Sequence, residues 1–501
     1  METITITFPQ VKVNLGINDI TFDTLENTVF DISQQIGGKV LEKALYDIDD
    51  NLRQIRQKGT LKNTGKRPKY LLTRLGDIRY KRTRYKDKEG NARYLLNEKL
   101  GLEKNQRISL SRAKIETLIT TISTYRGAKQ NVELLTGCTR SHEAIRQSVI
   151  KEAERIINYQ NYSIEKAGRL QDKEENPEAP NDIAYVESDS TFIRLQRRRK
   201  RKGKVYILRT KHRPRKQKSI EVKLAIGYRD KMKRYRNGRG NGLKLKDKFT
   251  YVQIGDGKRF MEKLSFIAEK KLSISKAKAI IFGGDGGQYI TNGIKDYFTG
   301  AIYILCKFHL KRNIKRALSS RPKAQSLLNE LLRKDKIDKA LSVLTRIITR
   351  TKDRKKKKLL KELHTYIDQN RQGINPIKKI KDKAIRDRIK GAGAMESNVD
   401  KFLAHRFKKR GMSWSVKGAL SLLKVKETIA NGEWDSWWHK DRDCPIQIDT
   451  KPLKQLSAKD FWKQKQTIPL IEATIPALRG PDQAEPWAKV LRRLQNINYY
   501  N

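Results

Sequence analysis

Long apolar runs are missing from this chain. No stretch approaches the ~20 apolar residues needed to span a bilayer. The opening METITITFPQ has neither the charged start nor the apolar core of a signal peptide. A cytoplasmic, nucleoid-associated location is therefore expected. Cysteine is scarce: Cys138, Cys306 and Cys444 stand far apart with no C-x-x-C pair, so neither a disulfide framework nor a zinc finger is encoded. No internal repeat is present. Acids are under-represented, with 55 Asp plus Glu against 111 Lys plus Arg and a net charge of +56 over 501 residues. Charge on that scale repels itself unless a polyanion is present, so a nucleic-acid partner is the economical explanation; a ribosome-associated or merely sticky basic protein is the plain alternative. The length exceeds one core and implies roughly two to four domains.

What is present is organised around AKAIIFGGDGGQYI, Ala277 to Ile290. An apolar run, Ala279 to Phe282, stops at two glycines, Asp285 and two more glycines. This reads as a buried strand ending in an acid, with glycines that allow a sharp turn and let something large approach the carboxylate. Asp285 could instead cap a helix starting near Gln288.

Upstream, Leu25, Val29, Ile32, Ile36, Leu41, Leu45, Ile48, Leu52 and Ile55 step by four and three, broken once at Gly37 and Gly38. A self-association helix and a helix packed on its own domain both fit. Lys69 to Leu102 reads as a small antiparallel sheet, with Tyr80, Arg82, Arg84 and Tyr85 putting aromatics among cations. From Ser111 to Ile157 the pattern is helix, Gly turn, helix. Ser141 caps a third helix that would offer Arg146, Gln147 and Lys151 to a DNA groove; a plain three-helix bundle would look alike. NPEAPN at Asn176 to Asn181 is the best boundary.

Beyond it, strands are expected at Ile183 to Val186 continuing through Phe192 and Ile193, at Ile220 to Tyr228 and at Phe249 to Ile254. A helix (Arg259 to Lys271), the Asp285 strand, a helix (Gln288 to Phe298) and a strand (Ala301 to Leu305) follow. That is the element order of an RNase H-like α/β fold, with Asp189 and Asp285 at its first two acid positions. Leu310 to Ile389 reads as an all-helical insertion of about eighty residues. Trp434, Trp437 and Trp438 suit core or interface.

VESDSTFI around Asp189, GGDGGQYI, CKFHL at Cys306 to Leu310 and AMESNVDKFLAHRFKKRGMSWS from Ala394 resemble the bacterial insertion-sequence transposases of the second ISLre type, which carry a DDE triad. The likeness spans about Lys69 to Ser415. Ser190 stands where glycine, and Tyr289 where tryptophan, is expected. The resemblance implies a DNA transposase that uses Asp189, Asp285 and Glu396 as catalytic acids and ligands of two Mg²⁺ (or Mn²⁺) ions. It would cleave its element's ends and join the 3′-hydroxyl to target DNA as a homo-oligomer on double-stranded DNA. Asp400, one turn after Glu396, is the competing third acid. Cys306 and His309 would support the site rather than bind zinc, which wants four ligands. Arg197, Arg198 and Arg199, the basic loop Arg229 to Lys248 and Lys355 to Lys358 would track the DNA backbone.

The implied organisation is an N-terminal helical segment with possible self-association (1–60), a small β-sheet (61–105), a helix-turn-helix region (106–175), the first part of the core (183–309), the all-helical insertion (310–390), the last part of the core with the third acid (391–440) and a Pro-rich tail (441–501). A DNA-binding regulatory or architectural protein, or an RNase H-like nuclease or resolvase without strand transfer, are the alternatives.

Overall fold

The computed structural model describes residues 21–56, 59–138, 140–169, 183–196, 219–233, 243–409 and 411–439. The boundary at 176–181, Arg197, Arg198 and Arg199, the loop tip 234–242 and the tail with Cys444 lie outside the described residues. The chain forms two compact units, 1–153 and 154–501.

In the first unit, α1 (Phe22–Ile55) starts at a capping box of Thr21 and Thr24 and runs unbroken for 34 residues. The expected break at Gly37 and Gly38 does not occur. These glycines are where the helix meets a hairpin tip: a Cβ on Gly37 would lie 3.2 Å from the Leu75 side chain, and one on Gly38 3.4 Å from the Leu75 carbonyl oxygen. That hairpin belongs to an antiparallel sheet of β1 (Lys62–Thr73), β2 (Gly76–Lys86) and β3 (Ala92–Arg93). Leu45 of α1 packs with Leu71, Ile78, Tyr80 and with Leu96 of α2 (Leu95–Lys99). Buried Asp49 ties helix to sheet by accepting from Thr83 N at 2.9 Å and Thr83 Oγ1 at 2.7 Å. The sheet's aromatic and cationic residues are consequently not a surface stripe. Tyr80, Arg82 and Tyr85 are buried, with the Arg82 guanidinium 3.8 Å over the Tyr94 ring, because α1 and α2 pack on β2.

Three helices complete the unit: α3 (Leu110–Thr120), α4 (Tyr125–Thr136) and α5 (His142–Arg169). Gly137 ends α4 in the left-handed region, and Ser141 Oγ accepts from Ala144 N at 3.1 Å to start α5. Fully buried Arg112 holds the joint. Its Nε donates to Glu116 at 3.0 Å, its Nη2 to the Cys138 carbonyl at 2.7 Å and its Nη1 to Thr136 Oγ1. The unit boundary falls inside α5, between Ala153 and Glu154.

The second unit is built on a mixed five-stranded sheet. Its elements are β4 (Ile183–Arg194), β5 (Ser219–Tyr228), the hairpin β6 (Asp230–Lys233) and β7 (Leu243–Lys246), β8 (Phe249–Ile254), α6 (Gly257–Leu272), β9 (Ala279–Gly284), α7 (Gln288–Tyr297) and β10 (Ile302–Leu305). The sheet order is β10-β9-β4-β5-β8. β5 is antiparallel to β4 and β8, while β9 is parallel to β4 and β10. Val186, Phe260, Leu264, Phe282, Ile290 and Phe298 are among the residues of the core between the sheet and α6 and α7. Part of the loop expected from 229 to 248 is the β6–β7 hairpin.

After β10 come α8 (Lys307–Ala317), α9 (Pro322–Arg333), α10 (Ile337–Thr349), α11 (Arg354–Gln369) and α12 (Lys383–Arg388). Their buried leucines, Leu328, Leu332, Leu341, Leu344, Leu360 and Leu363, form a second core into which Leu305 of β10 inserts. Then α13 (Met395–Asn398) passes into a π-helix, Val399–Lys408, followed by α14 (Val416–Ala430) and α15 (Trp434–Trp437). Buried Glu427 fixes α14 to β8 by accepting from Val252 N at 2.9 Å, with Lys424 Nζ at 2.8 Å. Trp434, Trp437 and Trp438 are buried, as their clustering led one to expect.

Candidate active site

Strand alternation decides what β4 offers. Ala184 and Val186 enter the core beneath the sheet, so Tyr185, Glu187 and Asp189 point to the opposite face. Asp189 is buried, and its Oδ1 accepts from the Ser190 amide at 2.7 Å. β9 ends beside β4, with Gly283 in register with Glu187 and Gly284 with Ser188, and Asp285 follows at once. The Cys306 amide donates to the Gly284 carbonyl at 2.7 Å, which seats the start of α8 and brings buried His309, one turn on, over the sheet. Glu396 arrives on α13.

Ligand atoms of Asp189, His309 and Glu396 all lie within 4.8 Å of one another, with His309 Nε2 4.0 Å from Asp189 Oδ2. Asp285 acts on the same group through its charge. Burial first, then Asp285 and more weakly Glu396, push the Asp189 carboxyl up to about 7, against the Ser190 amide and Arg312, which favour the ionised form. Burial, then Arg312, lowers the His309 pKa and favours neutral imidazole, although Asp285 and Glu396 pull the other way. Burial raises the Cys306 thiol, which disfavours the thiolate that zinc would want. His309 Nδ1 is buried without a hydrogen-bond partner.

The loop of Asp285 is held by its own neighbours. Asp285 Oδ1 accepts from the Gly287 amide at 2.9 Å, and its backbone carbonyl accepts from Tyr366 Oη of α11 at 2.8 Å. The glycines flanking it make room for protein groups. Gly286 has φ +89°, and a Cβ there would lie 2.8 Å from the Asn370 amide. Tyr289 is in contact with Ser188, Oη to Oγ 3.3 Å.

Asp400 is elsewhere. Its carboxylate is 2.9 Å from Lys409 Nζ, and its side chain is 59 % exposed. Spacing alone could not separate Glu396, the assigned third acid, from Asp400 one turn on; the structure puts Glu396 alone of the two with Asp189 and His309. Arg146 and Gln147 both engage Glu143, at 2.6 and 2.8 Å, and Lys151 lies 3.3 Å from Glu103. These side chains sit at partly or fully exposed positions of α5.

Glu187 is the residue that sequence reasoning passed over. It is buried, and its carboxylate accepts from three successive amides, Gly393 at 2.9 Å, Ala394 at 3.1 Å and Met395 at 3.0 Å, and from Tyr228 Oη at 2.5 Å. The available signal was its place two residues before Asp189 on the same strand face.

Carboxylate oxygens are hard donors suited to Mg²⁺ or Mn²⁺, and an imidazole nitrogen in the group suits Mn²⁺ better than Mg²⁺. A buried carboxyl whose pKa is raised to about 7, by burial first and then by its acidic neighbours, is the electrostatic setting that a divalent cation relieves. The donor set of Asp189, Glu396 and His309 therefore fits such an ion.

The site thus lies in a mixed α/β unit whose central strand carries Asp189, met there by His309 of α8 and Glu396 of α13. The chain belongs to the uncharacterised protein family UPF0236, whose model matches residues 15–440. It is similar to a UPF0236 protein of Caldanaerobacter subterraneus subsp. tengcongensis whose name joins eleven locus labels beginning with TTE0033, at 22 % identity over 83 % of this chain and 79 % of the relative. It is also similar to the UPF0236 protein TTE2489 of that strain, at 23 % identity over 84 % and 80 %. A UPF0236 protein from Streptococcus gallolyticus, named for the vanSb 3′ region, is 24 % identical over 80 % and 82 %.

Proposed function

We propose that this chain is a DNA transposase with an RNase H-like catalytic core, which cuts the ends of its own element and joins the resulting 3′-hydroxyl to target DNA. The observation that carries the reading is the gathering of Asp189, Glu396 and His309 within 4.8 Å, with Asp285 near enough to raise the Asp189 pKa. Asp189 and Glu396, two of the three acids the resemblance points to, come together from distant parts of the chain, and the charge of the third, Asp285, bears on Asp189. The central first strand, the antiparallel meander on one side of it and the parallel strands on the other agree with the proposed fold, as does the second helical core inserted between the second acid and the third.

Two divalent ions held by Asp189, Asp285 and Glu396 would supply an activated water and stabilise the leaving oxygen. Asp189, its pKa raised to about 7, would have to be ionised to hold an ion there. Neutral His309 would offer a hydrogen bond to a phosphate bound beside Asp189. Tyr366 holds the Asp285 turn by its backbone carbonyl, with Asn370 packed beside Gly286.

A DNA path agrees with the surface of α11. Arg354, Lys357, Lys358 and Lys361 line a recess with Tyr366, whose hydroxyl touches the Asp285 backbone. At 1.5 Å per residue, Arg354 to Tyr366 spans about 18 Å, a few phosphate spacings. The three helices α3, α4 and α5 are proposed as the helix-turn-helix. A relative whose name joins eleven locus labels in one strain is what a sequence that multiplies within a genome would leave.

The test is cleavage of linear DNA carrying the sequences that flank the gene. The protein nicks or cuts it with Mg²⁺ or Mn²⁺ and not with EDTA. Metal-independent binding to those ends without cleavage would instead favour a regulatory or architectural protein.

A further inference from the structure

The helix that brings Glu396 to the site has almost no local reason to begin where it does. Segment 390–394 reads KGAGA, with Gly391 at φ +69° and Gly393 at φ +134°, and Ala394, the N-cap of α13, makes no side-chain cap. α13 has only four residues before the π-helix, too few to hold themselves in place. The free amides at this start are met from another part of the chain.

Glu187 divides its acceptors evenly. Oε2 takes the Gly393 and Met395 amides, and Oε1 takes the Ala394 amide and the Tyr228 hydroxyl. Tyr185, two residues earlier on the same strand face, accepts from the Lys390 amide at 3.0 Å, and Lys231 Nζ donates to the Gly391 carbonyl at 2.6 Å. The neighbouring strand leaves space for this contact. Gly283 is in register with Glu187, and a Cβ there would lie 2.8 Å from Ala392 Cβ and 3.0 Å from Glu187 Cγ. Downstream, Lys408 Nζ reaches Thr191 Oγ1 at 2.6 Å, and the Trp414 amide donates to the Arg194 carbonyl at 2.9 Å. The segment bearing Glu396 is thus fastened to β4 at Tyr185, Glu187, Thr191 and Arg194, on either side of Asp189.

We infer that Glu187 is a positioning residue: through the Gly393, Ala394 and Met395 amides it sets the distance between the third acid, Glu396, and Asp189, without itself holding an ion. This rests on the proposed reading of the three acids as an ion site. Charged hydrogen bonds to amides are the strong kind, and a strand carrying both Asp189 and the anchor of Glu396 makes their separation a property of two adjacent same-face positions. Glutamine at 187 cannot substitute. Whichever oxygen becomes an amide NH₂ would face two donors.

The test uses the full chain with Glu187→Gln, and with Tyr228→Phe as a milder variant that removes one of the four donors. Amide exchange over 390–400 is read by mass spectrometry, and Mn²⁺ binding by titration calorimetry, alongside Glu396→Gln and the double variant. Glu187→Gln should speed exchange at 393–395 and weaken Mn²⁺ by roughly 10- to 100-fold, as loss of a residue that orients a ligand does. DNA affinity should stay unchanged, Tyr228→Phe should fall between, and the double variant should bind Mn²⁺ no more weakly than Glu396→Gln alone. Wild-type Mn²⁺ affinity in Glu187→Gln, or a fully additive double variant, overturns the inference; the second result would make Glu187 itself a ligand. If the wild-type chain binds no Mn²⁺, the proposed ion site fails and the positioning role with it. Exchange would then report only whether the clamp exists.

Discussion

Asp400 and Lys409 form an ion pair of 2.9 Å on the exposed side of the π-helix, and that pairing occupies the one carboxylate near Glu396 in sequence that could have replaced it. The two acids can therefore be separated by experiment. Glu396→Gln, nearly isosteric but uncharged, should lower end cleavage and joining by at least about 100-fold, the scale on which removal of one preorganised electrostatic group acts, and leave DNA binding intact. Asp400→Asn loses an exposed pair worth about 0–1 kcal/mol and should cleave within a few-fold of wild type. A reversal of these results, read on labelled end DNA, would put Asp400 in the triad.

Proton release measures the electrostatics of the site. The folded Asp189 carboxyl is raised to about 7 from an ordinary 3.8. The stability it contributes is therefore fully present below about pH 4 and is lost as the pH rises through about 7 in the ion-free protein. Loading an ion requires the carboxylate. Mn²⁺ binding should release close to one proton at about pH 6 and close to none at about pH 8. Calorimetry in buffers of different ionisation enthalpy reads this number, and no release at either value would mean that Asp189 is ionised before the ion arrives.

Much of the second unit's fold was legible in its sequence because short apolar runs bounded by glycine or acid fall at the strands, and leucines at helical spacing mark the inserted helices. Leu328 and Leu332 are buried as that spacing requires. Two things were not legible. Gly37 and Gly38 look like a break but serve a close contact with Leu75 across the chain, which no local pattern encodes. Glu187 looks like one acid of a polar triplet, and its partners are backbone amides more than two hundred residues away. Asp189 and Asp285 were visible because each ends or interrupts an apolar strand, whereas the choice between Glu396 and Asp400 depended on where a Gly-rich entry sets the helix.

Not every cation in a chain with 111 of them faces DNA. Arg112 is fully buried, bridging Glu116, Thr136 and the Cys138 carbonyl. Arg112→Met leaves Glu116 still paired with Arg140 at 2.5 Å and should destabilise the first unit by about 1 to 3 kcal/mol, the cost of leaving a buried acceptor such as the Cys138 carbonyl unmet, measured by urea unfolding. A loss under about 1 kcal/mol would contradict the packing described.

Cations on the proposed DNA path should behave otherwise. Log affinity for duplex DNA should fall linearly with log salt, by about 0.9 per neutralised phosphate. Reversing Arg197, Arg198 and Arg199, or Lys357, Lys358 and Lys361 on α11, should lower the slope without unfolding the chain. A slope unchanged by either set would remove those segments from the DNA path.

The central claim is strand transfer by the three acids. The direct measurement is the joining of an element end, 5′-labelled on the transferred strand, to a second, unlabelled duplex by purified protein with Mg²⁺, run beside Asp189→Asn, Asp285→Asn and Glu396→Gln. The account predicts joined product from wild type alone, through the free 3′-hydroxyl. Cleaved but never joined ends would make the protein a nuclease, and joined product from any of the three variants would contradict the site.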